Sequence, residues 1–199
     1  MRTEHSPEVM TADSRLPGAL RSGQVRCSPY AARAATAGLV AGACGALLPR
    51  VFPALELGLF AHGAAWLAGF LTGSPVECVR TGWALSIGGY PVAVTVACRA
   101  TDFFFMVAAI ISWQLARRRS SVAVAVAAGL GAALPVAIFV NAVRIVTIAQ
   151  VHHLAGPLLP DAYDSILHLL AGVAVFLPSL VALNLLLEFH GRLHAASKN

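Results

Sequence analysis

Six apolar stretches punctuate the chain, and they do not share one rhythm. Residues 34–48 are rich in Ala and Gly, uncharged, and short for a membrane span. Residues 52–71 reach the roughly 20 positions a bilayer needs, with Glu56 and His62 marking a face that meets protein or water. Residues 102–116 open on three phenylalanines and close at Arg117, Arg118 and Arg119. Residues 122–140 run on through 141–151 as one long helix, and 166–187 form the clearest span, with His168 near its start. Pro135 and Pro178 lie inside these segments, where neighbouring helices in a membrane can accommodate a kink.

Residues 75–97 follow another period. Leu85 and Ile87 alternate with Ala84 and Ser86. After Gly88-Gly89, Val92, Val94 and Val96 alternate with Ala93 and Thr95. Period two around a Gly-Gly dipeptide predicts a β-hairpin outside the membrane rather than a sixth helix.

Composition turns this pattern into a fold class. Of 199 residues 58% are hydrophobic and only 12% are charged, against about 25% charged in soluble domains. The expectation is an all-α integral membrane protein of about five to six transmembrane helices, with a small extracytoplasmic β-hairpin. Residues 1–30 are polar, rich in Pro, Ser and Arg, and read as a flexible tail. They are long for the first part of a cleaved signal peptide, so the first apolar segment reads as a retained helix. Residues 31–190 make one membrane-embedded domain and 191–199 a cytoplasmic tail. The net charge of +5 is scattered at membrane edges, which excludes a nucleic-acid surface.

Basic loops set orientation. With Arg117, Arg118 and Arg119 in the cytoplasm, the helix before them starts outside and brings Cys98 to the outer surface. The next helix carries Arg144 to that side. The last begins there at His168 and ends inside at Arg192 and Lys198. One conflict stays open: two full spans before an external hairpin would put the Arg-bearing N-terminus outside. Either residues 34–48 do not span, or the Gly-Gly segment crosses, or the charge rule fails here.

Three reactive side chains thus converge on one face, where ionisable groups are costly and mark functional sites. Cys98 stands at the mouth of a helix, suited to a thiolate nucleophile beside a cation; the competing readings are a buried structural cysteine or a disulfide with Cys78. Arg144 shares a helix face with Asn141, three residues earlier. There it can hold a thiolate and a developing oxyanion, or else snorkel to headgroups or pair with Asp161 or Asp164. His168 follows Asp164 by one turn, so the carboxylate can orient the imidazole, and Gly172 one turn later lets another helix approach. The alternative is a polar residue at a membrane edge. The four cysteines form no CxxC pair, and Cys44 reads as inert packing. His152 and His153 are adjacent and point apart on a helix, which makes a poor metal site. His62 packs or lines a cavity, and His190 with His194 reads as solvated.

These residues resemble the exosortase/archaeosortase family. Gly73-Ser74-Pro75-Val76, Gly82-Trp83-Ala84-Leu85-Ser86-Ile87 and Val94-Thr95-Val96-Ala97-Cys98 look like that family's approach to its cysteine. Asn141-Ala142-Val143-Arg144-Ile145 is similar to its Asn-x-x-Arg-Ile motif, and His168, Gly172 and Phe176 to its His-x-x-x-Gly-x-x-x-Phe motif. The order Cys, Arg, His matches. The resemblance implies a transpeptidase of the prokaryotic cytoplasmic membrane, with its active site on the extracytoplasmic side. It would cut exported proteins at a C-terminal signal made of a short motif, a hydrophobic helix and a basic tail. Cys98 would be the nucleophile, Arg144 the electrostatic stabiliser and His168 the general acid/base, with no cofactor or metal. One position departs from the pattern: Arg99-Ala100 follows Cys98 where the family usually has Ser-Gly.

Two other readings stand beside this one. The chain can be a small solute-binding membrane subunit of a transporter, with Arg144 and His168 holding an anion. It can also be a catalytically inactive relative that acts as a scaffold.

Overall fold

A computed structural model describes residues 29–51, 56–95, 98, 100–118, 121–155 and 164–196. The polar residues 1–28, with Cys27, lie outside that set. So do Arg99 and Asp161, and the side chain of Asp164.

The fold is mostly helical. Helix α1 spans Pro29–Val51. A π-helical turn, Glu56–Ala61, leads into α2, His62–Thr72. Three short strands follow, β1 Val76–Val79, β2 Gly82–Ile87 and β3 Tyr90–Val94. Then come α3 Thr101–Arg117, α4 Val122–Ala155 and α5 Asp164–Ala196. The long continuous helix expected from residue 122 onward is α4, with Pro135 inside it, and α5 encloses Pro178. Helix α1 is longer than its apolar stretch, and α5 continues without a break to Ala196, inside the segment read as a tail.

Two helical stretches among the described residues, Val122–Leu154 and Ile166–Arg192, are long and apolar enough to cross a membrane. Helix α5 bares Leu169, Leu170, Val173, Leu177, Val181 and Leu185. A row of large apolar groups on one helix face is stable when lipid covers it. At about 1.5 Å per residue, the rise from Val122 to Arg144 is about 33 Å, and that from His168 to Glu188 about 30 Å. Each equals the roughly 30 Å hydrocarbon thickness of a bilayer. A bilayer placed on these two stretches would set Arg144 and His168 near one edge, and Arg117 and Glu188 near the other.

The hairpin forms where period two predicts it. Ile87 pairs with Tyr90 across the Gly88–Gly89 turn, and both glycines have positive φ, at 59° and 85°. That is the two-residue turn that matches strand twist, and it favours glycine at both positions. The sheet does not stop there. β1, which the alternation did not reveal, pairs with β2 from Val76–Leu85 to Val79–Gly82, in the order β1-β2-β3. Open sheet edges are not tolerated in hydrocarbon, so the Gly-Gly segment does not supply the missing crossing. Pro91 sits on β3, an edge strand, where its lack of an N–H costs least.

Helix α4 is the hub, touching α1, α2, α3, α5 and both hairpin strands. Small residues let the helices approach closely. A Cβ on Gly45 of α1 would fall 1.7 Å from the Phe105 ring of α3. The inner sheet face, Leu85, Ile87 and Val94, packs on Ala61, Ala64, Ala65 and Ala68 and on Ala142, Ile145 and Ala149 of α4. Two ring contacts fix the sheet further, one tilted and one stacked. His62 lies 4.8 Å from Trp83, and Tyr90 lies 5.4 Å from His152 in near-parallel planes.

Candidate active site

Cys98 occupies a short turn between β3 and α3, where its N–H donates to the Thr95 carbonyl at 2.9 Å. The residue is buried at 7% exposure, in the apolar cluster shared by the sheet, α2 and α4. Its sulfur lies 3.9 Å from the Ala93 carbonyl oxygen. The thiol is free, as are those of Cys78 and Cys44, both exposed. The disulfide alternative is thus not formed, and Cys44 faces outward from α1 rather than packing.

Asn141 reaches this turn from α4. It is fully buried, and its Nδ2 donates to the Cys98 carbonyl at 2.7 Å. Arg144 lies one turn further on the same face. Its guanidinium carbon stands 5.1 Å from the centre of the Phe176 ring, a cation–π contact. Phe176 in turn stacks on Phe103 at 4.7 Å. The Arg144 charge is close enough to interact with Cys98 and with His168. The structure therefore gathers Cys98, Asn141, Arg144 and His168, drawn from three elements, into one locus.

Gly172 also belongs here, in a different role from the one its spacing suggests. It admits the Arg144 side chain rather than a helix backbone: a Cβ at Gly172 would lie 3.2 Å from Arg144 Nε. Gly172→Leu is expected to push the guanidinium off Phe176. Alkylation of Cys98 by iodoacetamide should then slow by about tenfold, the effect of about 1.4 kcal/mol of lost thiolate stabilisation. Gly172→Ala needs only a few tenths of an ångström of adjustment and should slow it less than about threefold.

Two buried polar atoms of the site, Asn141 Oδ1 and Arg144 Nε, have no hydrogen-bond partner among the described residues. Buried polar groups are nearly always paired, so an acceptor for Arg144 and a donor for Asn141 are what this locus is shaped to receive. Among the described residues no three His, Cys, Asp or Glu converge as a metal-ligand set.

Sequence spacing understated His152. It is 8% exposed, stacked on Tyr90, and close enough to His168 to interact electrostatically. Its offset from Asn141 and Arg144 places it on their helix face; the adjacency of His153 obscured that signal. Phe176, the last residue of the third motif, is the platform for Arg144.

The transmembrane exosortase family model matches residues 24–185. The chain belongs to the exosortase family. The match runs from before α1 to Leu185 within α5 and contains the whole Cys98–Arg144–His168 locus. Membrane residence follows from the family together with the lipid-ready faces of α4 and α5. No curated protein and no solved structure matches the chain closely enough for comparison.

Proposed function

We propose that this exosortase-family protein is a cysteine peptidase/transpeptidase of a prokaryotic cytoplasmic membrane. It would span the bilayer five or six times and work on the extracytoplasmic side. Its substrates would be exported proteins ending in a short motif, a hydrophobic helix and a basic tail. The observation that carries this reading is the position of Arg144, within electrostatic reach of both Cys98 and His168.

The same groups serve both half-reactions. His168 accepts the Cys98 proton, and Arg144 holds the thiolate. The sulfur attacks the scissile carbonyl carbon, forming a C–S bond and an oxyanion. Arg144, the fixed cation at the locus, faces that developing charge. The C–N bond breaks as His168 returns its proton to the leaving amine. An amine acceptor or water then attacks the thioester, with His168 removing its proton, and the thiolate departs. Asn141 positions the nucleophile by holding the carbonyl of its turn.

The test is the intermediate itself. Co-production with a substrate carrying such a C-terminal signal should yield a hydroxylamine-labile thioester on Cys98, read by intact and peptide mass. Processing that proceeds with no adduct on Cys98 would sink the mechanism. Saturable binding of a small anion at Arg144, without any thioester, would favour the solute-binding reading instead.

A further inference from the structure

At the membrane edge opposite Cys98, two joined clefts have no part in the proposed chemistry. One, of about 630 Å³, is a slot between α1, α3 and α5 whose walls include Gly38, Leu39, Ile110 and Trp113. The other, of about 440 Å³, lies between the ends of α3 and α5 and includes Arg118, Gly191 and Arg192. Gln114, Arg117 and Glu188 line both, so the apolar slot opens directly into the charged one.

The charges there are arranged, not scattered. Arg118 Nη2 donates to the Leu187 carbonyl. Its guanidinium lies against Gly191, where a Cβ would come within 2.6 Å of Nη2. Glu188 is already engaged: one oxygen accepts from Asn184 Nδ2 at 3.2 Å, and the other stands 3.7 Å from Arg192. Asn184 is held in turn by Gln114 at 3.2 Å. Among the described residues Glu188 is the one acid of the lining and it is satisfied within the protein, so the mouth keeps a surplus of positive charge from Arg117 and Arg118.

A cationic mouth joined to an apolar slot at the edge of the hydrocarbon is complementary to an anionic head on an apolar chain. We infer that this paired cleft binds an anionic phospholipid, its phosphate at Arg117 and Arg118 and one acyl chain along Trp113 and Leu39. Basic pockets between helices at a membrane surface recognise acidic headgroups by this chemistry, and a Trp at the same depth is a usual interfacial anchor. Free phosphate would fill the mouth and leave the slot without an occupant. The inference is independent of the peptidase reading.

The experiment uses the full chain in phosphatidylcholine bilayers containing brominated phosphatidylglycerol or brominated phosphatidylcholine at equal mole fraction. The Trp113 signal is obtained by difference from Trp113→Phe, because Trp66 and Trp83 also emit. Half-quenching is expected at roughly three- to tenfold lower mole fraction of the anionic lipid, and this advantage should shrink as salt rises. Arg117→Gln with Arg118→Gln should abolish the advantage, Lys at both positions should retain most of it, and Arg80→Gln on the remote β1–β2 turn should leave it unchanged. Equal quenching by the two lipids, a preference indifferent to salt, or a preference that survives the double Gln variant would overturn the inference. A Trp113 that neither lipid quenches would show protein in the slot and overturn it as well.

Discussion

Cys98→Ala should abolish processing of a co-produced substrate, with a loss on the order of 10⁴-fold or more, while Cys78→Ala and Cys44→Ala should leave processing intact. The contrast follows from position. Cys98 is enclosed at the junction of sheet, α2 and α4, with its turn held by Asn141, whereas Cys78 and Cys44 are exposed and outside the site. Immunoblotting for the mature and precursor forms of the substrate checks the outcome. Full processing by Cys98→Ala would remove the nucleophile from the proposal. A loss in Cys78→Ala would point to another thiol.

Arg144→Ala should lower turnover by about 10²–10³-fold, the usual effect of deleting one oxyanion donor. It should also erase the reactivity advantage of the Cys98 thiol over exposed cysteines. A site that keeps a cation beside a buried thiol, with one N–H unpartnered among the described residues, has these two properties to lose together. Arg144→Lys is not conservative here. Lysine keeps the charge but lacks both the flat guanidinium that lies against Phe176 and the fork that can address two oxygens; a loss of about tenfold is expected. Rates of iodoacetamide labelling, resolved by peptide mass, separate the thiol effect from the turnover effect. Labelling of Cys98 that is unchanged in Arg144→Ala would mean the cation does not act on the thiol.

Much of this architecture was legible because two periods in the sequence are physically distinct. Alternation around Gly88-Gly89 specified the hairpin, and unbroken apolarity specified α4 and α5. Strand β1 was not legible. Val76-Glu77-Cys78-Val79 is short and carries a charge, and only pairing with β2 makes it a strand. The grouping of Cys98, Arg144 and His168 came from topology and motif order. The contacts that build the locus did not. Asn141 was placed on Arg144's face, yet its hydrogen bond to a main-chain carbonyl in another element is a tertiary fact. Gly172 looked like a helix-packing residue because spacing cannot tell whether a backbone or a guanidinium fills the gap. His152 was passed over because its partner, Tyr90, comes from the far strand of the hairpin.

The exposed flank of α5 has a kinetic consequence. His168 rides on a helix that bares a row of large apolar groups, so on the proposed reading bilayer lies directly behind the acid/base group. On the proposed reading, a substrate anchored by its own apolar helix already diffuses in that same sheet of lipid. Encounter is then a search in two dimensions. What sets its frequency is the number of substrate molecules per unit of membrane area, not their concentration in the surrounding volume.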